Sequence, residues 1–314
     1  MVALGGNALV RAGGTGTWAE AVGQMRRSAL PLARVVADGN DLILTHGNGP
    51  QVGMSLRQNE VAQREVPARP LDVIGAETQG QIGYLIQQEL TPALQTEGVP
   101  RTVLCLVTRM LVSPKDPAFK HPTKPIGQYY DENEARLLRK SRGWELVNDS
   151  ARGGWRRLVA SPRPLKWVEG ETVRELLDRD LGLSWVPVVG GGGGIPVVQR
   201  GGGRLEGVDA VIDKDLGAAV IASQLKARTL AIVTDVPAVA VGFRRPWERW
   251  LGAVTPSEMA SYLKRGEFAE GSMGPKVEAA LEFLRAGGQR AIITDATSLG
   301  RALQDETGTR IREG

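Results

Sequence analysis

Short runs of apolar residues alternate along the chain with longer segments in which apolar residues recur every three or four positions. The short runs are typical of strands buried on both faces, and the longer period is typical of helices with one buried face. The pattern predicts strands at 2–4, 41–45, 102–107, 185–189, 229–234 and 291–294. It predicts helices at 18–37, 76–90, 215–225 and 272–286.

This alternation of strands and helices predicts an α/β fold with a mainly parallel sheet. In such sheets ligands bind outside the carboxyl ends of the strands, where the loops into the following elements lie. We therefore expect the binding residues in the segments that directly follow the predicted strands.

The segment 113–164 departs from this pattern, because it is dense in proline and charge. A plain loop of this length would be unusual inside a compact domain, so the segment is predicted to form an inserted subdomain. Its composition cannot build a large core, and we expect a mobile lid that projects over the ligand cleft. Arg152, Arg156 and Arg157 would then add positive potential near the cleft or brace the subdomain.

Composition excludes several classes of protein. Of the 314 residues, 42% are hydrophobic and 24% are charged, and no apolar run reaches the ~18 residues that a membrane span needs. The formal net charge of +4 is spread without a lysine- or arginine-rich tract, which argues against nucleic-acid binding. Cys105 is the single cysteine, so no disulfide is possible within the chain, and a cytoplasmic location is expected.

Three glycine-rich loops each follow a predicted strand directly. They are the first glycine loop, with Gly5, Gly6 and Asn7, the second, with Gly47, Asn48 and Gly49, and the third, with Gly190, Gly191, Gly192, Gly193 and Gly194. Glycine lets backbone N–H groups wrap an anion, and a helix start behind the loop adds its positive dipole end. Tight turns alone would also use glycine, but three such loops together favour phosphate binding.

The kind of phosphate chemistry stays open at this point. The chain contains neither the P-loop pattern G-x-x-x-x-G-K-[ST] nor the protein-kinase motifs H-R-D and D-F-G. Gly47, Gly49 and Gly53 approach the dinucleotide-binding fingerprint, with Asp72 as a possible ribose partner, although the spacing is one residue too long. An NAD(P)-dependent oxidoreductase is therefore the alternative from a different class.

Three lysines lie in loops or near predicted helix starts. Lys124 lies between prolines, Lys214 is flanked by Asp213 and Asp215, and Lys276 is near the start of the last predicted helix. Only 9 of the 39 cationic residues are lysine, so lysine at three such places suggests that a compact ammonium group is needed there. The two aspartates would pair with these lysines, cap the helix, or do both.

Thr234 is the last residue of the predicted strand 229–234, and Asp235 directly follows it. They would border a nucleotide or form a simple turn. The histidine His46, beside Gly47, is interpreted as a positioning residue.

Several longer strings form a pattern that resembles the carbamate kinases, members of the amino acid kinase family. The strings are LGGNA at 4–8, THGNGPQVG at 45–53, TQGQIGY at 78–84, PTKPIG at 122–127, GGWRRLVASPRP at 153–164, GGGGGIPV at 190–197, GVDAVIDKD at 207–215 and GSMGPK at 271–276. They occur in family order over nearly the whole chain.

The resemblance implies a three-layer α/β/α sandwich with a mainly parallel central sheet and a protruding inserted subdomain at about 113–164. It implies a single domain over 1–314, in which 1–188 binds carbamate or carbamoyl phosphate and 189–314 binds nucleotide. The reaction would be reversible phosphoryl transfer between ATP and carbamate, with Mg²⁺ accompanying ATP or ADP. A homodimer would be the functional unit.

The resemblance also implies roles for individual residues. Lys124 and Lys214 match the family's catalytic lysines, Lys276 matches its nucleotide-phosphate lysine, and we expect Asp213 or Asp215 to hold Lys214. The expected substrate-binding residues are Gly5, Gly6, Asn7, Gly47, Asn48 and Gly49, and the expected nucleotide-binding residues are Gly190, Gly191, Gly192, Gly193, Thr234, Asp235 and Lys276. No side chain is expected to bind a metal directly.

A family member with a different acceptor remains an alternative. Acetylglutamate kinases and uridylate kinases commonly place a lysine in the first-strand motif, whereas this chain has Ala3 and Leu4 before its glycines. Carbamate is already an anion, so its oxygen needs no general base to attack a phosphoryl group. That agrees with a sequence in which no convincing base stands out.

Overall fold

The main sheet has eight strands in the computed structural model, which describes residues 1–6, 16–149, 153–179, 184–269 and 271–313. In spatial order its strands are β15 (Ala253–Val254), β17 (Thr309–Ile311), β16 (Arg290–Asp295), β12 (Thr229–Thr234), β1 (Val2–Leu4), β2 (Leu44–His46), β9 (Trp185–Val188) and β3 (Thr102–Cys105). Its neighbouring strands pair in parallel except β16 and β17. The predicted mainly parallel sheet is therefore confirmed.

Helices cover both faces of this sheet. The described residues form the helices α1 (Trp18–Ala37), α2 (Gly49–Ala62), α3 (Leu71–Thr96), α4 (Glu132–Arg142), α5 (Gly170–Arg179), α6 (Lys214–Gln224), α7 (Pro256–Lys264), α8 (Met273–Arg285) and α9 (Leu299–Leu303). Side chains alternate between faces along a strand, so Val2 and Leu4 pack in a core with α1 and α3. Ala3 packs in the other core, with α6 and α8. The fold is thus the expected three-layer sandwich.

The segment 113–164 contains regular structure, as predicted. β5 (Lys124–Tyr130), β7 (Gly154–Val159) and β6 (Leu146–Asp149) form a three-stranded sheet, and α4 packs on it around a small core of Tyr130, Ala135 and Leu146. We call β5, α4, β6 and β7 the inserted subdomain.

Arginines of the inserted subdomain brace it. Arg157 donates to Asp209 at 3.0 Å, and the guanidinium of Arg156 lies 5.3 Å from the ring centre of Tyr129. Arg152 lies outside the described residues. Within the described ranges, no helix is both long and apolar enough to cross a membrane.

Smaller sheets complete the fold. β11 (Leu205–Gly207), β10 (Ile195–Gln199), β4 (Arg109–Val112) and β8 (Pro164–Trp167) form a four-stranded sheet, and β13 (Ala240–Val241) pairs with β14 (Arg249–Trp250). β10 and β11 are antiparallel neighbours joined by the turn at 200–204, and together they form a β-hairpin.

Candidate active site

The glycine loops meet at one edge of the main sheet. β1, β2 and β9 are neighbours, and each glycine loop leaves the carboxyl end of one of them. A Cβ atom built on Gly47 would lie 3.2 Å from the amide nitrogen of Gly6 and 3.3 Å from Cδ of Lys214. A Cβ atom on Gly192 would collide with the side-chain amide of Asn48. Glycine is required here because the loops pack too closely to admit a side chain.

Helix starts lie at these loops, but not always behind them. α2 begins at Gly49, the last glycine of the second loop, as expected. The third loop leads into β10 instead of a helix, which corrects the expectation for that loop. The first turn of α6 packs against it, since a Cβ atom on Gly217 would lie 2.8 Å from Cα of Gly193. The positive helix end near the third loop therefore belongs to α6.

Buried polar side chains that the glycine pattern does not predict hold the third loop in place. Thr45 Oγ1 donates to the carbonyl of Gly190 at 2.9 Å, and the N–H of Gly190 donates to Thr108 Oγ1 at 2.8 Å. Gln79 Nε2 donates to the carbonyl of Gly191 at 3.0 Å, while its Oε1 accepts from the N–H of Thr108 at 2.8 Å. The available signal for Gln79 was its place in the string TQGQIGY, on the buried side of α3.

Lys124, Lys214 and Lys276 converge on two aspartates. Lys124 Nζ donates to Asp213 Oδ2 at 2.9 Å, and Lys276 Nζ donates to Asp215 Oδ2 at 2.9 Å. Lys214 Nζ donates to the other oxygen, Asp215 Oδ1. Asp215 therefore holds Lys214, whereas Asp213 holds Lys124. These five residues are called the lysine–aspartate cluster.

Asp213 has a second function in the cluster. Its Oδ1 accepts from the backbone N–H groups of Asp215 and Leu216, so it caps the start of α6. Pairing and capping, which the sequence left open, are thus both performed by one carboxylate. Because the cap fixes the direction of the Asp213 side chain, it also fixes where the ammonium of Lys124 lies.

Burial and charge set the protonation of the cluster. Burial by itself would raise the pKa of Asp215, but the charges of Lys214 and Lys276 outweigh it and lower the pKa to about 2. Burial lowers the pKa of Lys214, and the charge of Lys276 adds to this against the attraction of Asp215. Three ammonium groups face two carboxylates, which leaves one positive charge in excess. An anion placed beside Lys214 would therefore be bound favourably.

His46 lies fully buried between the second and third loops. Its Nδ1 is 3.1 Å from the carbonyl oxygen of Gly47, and its Nε2 is buried without a hydrogen-bond partner. A Cβ atom on Gly191 would collide with the imidazole ring. Burial lowers the pKa of His46 to about 4, and the charge of Lys214 adds to the effect. The ring is therefore neutral near pH 7 and fills space that a side chain at 191 would need.

We expect His46 to make the folded state sensitive to acid. Between pH 6.5 and about 4, the unfolded chain protonates this histidine and the folded chain does not, so the free energy of unfolding falls as pH falls. The difference amounts to about 3 kcal/mol over this range. Denaturant unfolding between pH 7 and pH 4.5 should show a smaller pH dependence in His46→Gln than in the wild type. The exposed His121 provides the control, and equal slopes in wild type, His46→Gln and His121→Gln would contradict the expectation.

Thr234 and Asp235, two expected nucleotide-binding residues, lie at the carboxyl end of β12, the parallel neighbour of β1. Thr234 and Asp235 line a crevice of about 250 Å³ with Arg27 and Ser28 of α1. This crevice is on the α1 side of the sheet, whereas α6 and α8 cover the other side. Gly5 also lines the crevice and connects it to the first loop. Asn7 lies outside the described residues.

The geometry does not support a dinucleotide-binding turn. Gly53 lies inside α2, where its Cβ position is 3.7 Å from Cα of Gly127 in the inserted subdomain. Asp72 lies in the first turn of α3, and its carboxylate occupies the space beside Gly207. Neither residue is placed as the fingerprint would require. In the described part of the chain, no group of three or more His, Cys, Asp and Glu residues could hold a metal ion.

Comparison with protein families gives one match over most of the chain. Residues 1–295 match the model of the amino acid kinase family. A carbamate kinase of Thermococcus kodakarensis is 44% identical over 99% of this chain and 98% of its own length. A carbamate kinase of Trichomonas vaginalis is 46% identical over the same shares of the two chains.

Solved structures agree with the sequence relatives. The carbamate kinase from Giardia lamblia bound to AMP-PNP superposes with a TM-score of 0.91 at 40% identity, covering 100% of this chain and 98% of that chain. An isopentenyl phosphate kinase from T. acidophilum, at 14% identity and a TM-score of 0.52, shares the fold alone.

Proposed function

The chain belongs to the amino acid kinase family and is a carbamate kinase, and on this premise we propose which of its residues carry the phosphoryl transfer between ATP and carbamate. The observation that carries the proposal is the lysine–aspartate cluster at the edge of the sheet where the three glycine loops meet. Phosphoryl transfer needs accurate positioning and cations where negative charge collects, and this arrangement supplies both.

The first and second glycine loops bind the carbamate side. Gly47 lies beside Lys214 and packs against Gly6. Gly5, Asn7 and Gly49 are assigned to the same side because they belong to the same two loops. Asn48 donates its side-chain amide to Thr78 at 2.9 Å, so it acts mainly by fixing the loop.

The three lysines neutralise negative charge on different parts of the reacting groups. Lys124 and Lys214 contact the transferring phosphoryl group, while Lys276 and the third glycine loop contact the nucleotide phosphates. Asp213 and Asp215 keep the ammonium groups apart and oriented. Thr234 and Asp235 line a crevice together with Gly5, and they would border the nucleotide from that side of the site.

No proton transfer is required in the transfer step. A carbamate oxygen forms a bond to the γ-phosphorus, the bond from that phosphorus to the bridging oxygen breaks, and ADP leaves with the electron pair. Asp213 and Asp215 are both committed to lysines, and His46 is buried and neutral, so none of them serves as a general base. Mg²⁺ enters as part of the nucleotide substrate, held by phosphate oxygens and water.

Residues 1–188 form the carbamate half and 189–314 the nucleotide half of one domain, and the inserted subdomain acts as a lid that carries Lys124.

The chain forms a homodimer through the edge strand β3 and the neighbouring α3. Support comes from exposed apolar side chains there, Tyr84 at 53% and Leu104 at 41% exposure.

A cytoplasmic location is proposed from the single cysteine, Cys105, which is free.

An ATP-formation assay tests the function directly. Purified protein with ADP, Mg²⁺ and carbamoyl phosphate is expected to produce ATP. Acetylglutamate, aspartate and UMP, offered with ATP, are the rival acceptors and should not turn over. Turnover with UMP or acetylglutamate alone would refute the carbamate assignment, and hydride transfer from NADH would favour the oxidoreductase.

A further inference from the structure

Strand β5 lies beside helix α2. Ile126 packs in one small core with Val52, and the Cβ position of Gly53 is 3.7 Å from Cα of Gly127. Seven residues on, Glu60 of α2 reaches Tyr130, three residues beyond Gly127. α2 and β5 therefore contact each other at two places along their lengths, with a bulge in β5 between Ile126 and Tyr130.

Glu60 accepts two hydrogen bonds from side chains near the C-terminal end of β5. Its Oε1 accepts from the hydroxyl of Tyr130 at 2.6 Å, and its Oε2 accepts from Gln128 Nε2 at 3.3 Å. Tyr130 is only 5% exposed, and the hydrogen bond to a carboxylate there is short and charge-assisted. Burial and the partnership with Glu60 raise the pKa of Tyr130, so the hydroxyl keeps its proton.

Lys124 lies at the opposite end of the same strand. It begins β5, and its ammonium meets Asp213. α2 in turn begins at the second glycine loop. The strand is therefore held at both ends, by Glu60 at Tyr130 and by Asp213 at Lys124, and it lies beside the helix that leaves the substrate loop.

We propose that Glu60, through Tyr130, is a positioning residue that sets the place of Lys124 relative to the substrate loop. The inference rests on the proposed role of Lys124 in phosphoryl transfer. Other contacts also tie the inserted subdomain to the body, such as Arg142 Nη2 with Gln63 Oε1 at 2.9 Å. That contact comes from α4, whereas Glu60 acts on the strand that carries the lysine.

Kinetics of three variants and a control test the proposal. Tyr130→Phe and Glu60→Ala should each lower kcat by about 10- to 100-fold with KM for ADP unchanged, because a reacting group is misplaced while the nucleotide side is intact. Glu60→Gln keeps an acceptor for the Tyr130 hydroxyl and should restore most of the activity. Tyr129→Phe removes the hydroxyl of the neighbouring half-exposed tyrosine and should behave as the wild type.

The Lys124→Ala background separates positioning from general damage. If Glu60 acts through Lys124, adding Tyr130→Phe to Lys124→Ala should cause no further fall in kcat. The proposal would be overturned if Tyr130→Phe lowered kcat as much in the Lys124→Ala background as in the wild type. Wild-type kcat in both Tyr130→Phe and Glu60→Ala would also overturn it.

Amide hydrogen exchange tests, independently of turnover, whether Glu60 and Tyr130 hold β5 in place. Exchange in β5 should be faster in Glu60→Ala and Tyr130→Phe than in the wild type or in Tyr129→Phe. If the wild type formed no ATP, the proposed function would fail, while this comparison would still report whether Glu60 holds the strand. Unchanged exchange in β5 would overturn the inference even in an active enzyme.

Discussion

Replacement of Lys124 with alanine is expected to lower kcat by about 10²–10³, which is comparable with the loss of one donor to a transition state. Its ammonium lies 2.9 Å from Asp213 and is 36% exposed, so a reacting group can approach it. Stability should change little, because a partly exposed ion pair contributes little to folding. Lys124→Arg should rescue poorly, since a planar guanidinium cannot reproduce a compact charge at this place. Steady-state kinetics in the ATP-forming direction, with thermal unfolding alongside, measures both effects.

Lys140 is the matched control for this experiment. It is an exposed lysine on α4 of the same inserted subdomain, and Lys140→Ala should leave turnover nearly intact. Near wild-type kcat in Lys124→Ala together with a large loss in Lys140→Ala would show that the position assigned to the lid is wrong.

The second large effect is expected from Asp215→Asn. The substitution leaves the ammonium groups of Lys214 and Lys276, 13% and 14% exposed, without their shared carboxylate. The free energy of unfolding should fall by about 3 kcal/mol, and kcat/KM by about 10². The pKa of Lys214, which burial already lowers, should fall further, so the protonated form is lost at a lower pH. The alkaline limb of the kcat/KM profile should therefore move to lower pH, and a pH series measures that shift.

Asp305→Asn serves as the control for Asp215→Asn. Asp305 likewise accepts from two cations, Arg290 at 3.2 Å and Arg312 at 2.8 Å, but lies outside the lysine–aspartate cluster. This variant should keep the wild-type pH profile. An alkaline limb that stays in place in Asp215→Asn would mean that Lys214 does not need the carboxylate to remain charged.

Elements with a clear period were predicted to within a residue or two. The helices at Trp18–Ala37 and Lys214–Gln224 agree with the predicted 18–37 and 215–225, since an amphipathic or capped helix carries its signal locally. The helix predicted at 76–90 extends over Leu71–Thr96 and contains Pro92. Proline reads as a helix end in sequence, whereas packing of α3 against α1 and β3 carries the helix through it.

Strand ends were predicted less well, because hydrogen bonds to neighbours define them. The strand predicted at 41–45 is observed as Leu44–His46. Leu42 and Ile43 are buried, which produced the apolar signal, but they lie outside the regular ladder. Only the parallel neighbours β1 and β9 decide where β2 begins and ends.

The sequence by itself determined the fold class, the three glycine loops and the lysines of the candidate site, because these depend on local period, on backbone freedom and on residue type. Tertiary structure alone decided which charges meet. Lys124 and Asp213 are 89 residues apart, and Glu60 and Tyr130 are 70 apart, so no local pattern links either pair. The physical reason is that contact between distant residues follows from strand order and packing, which a linear pattern does not contain.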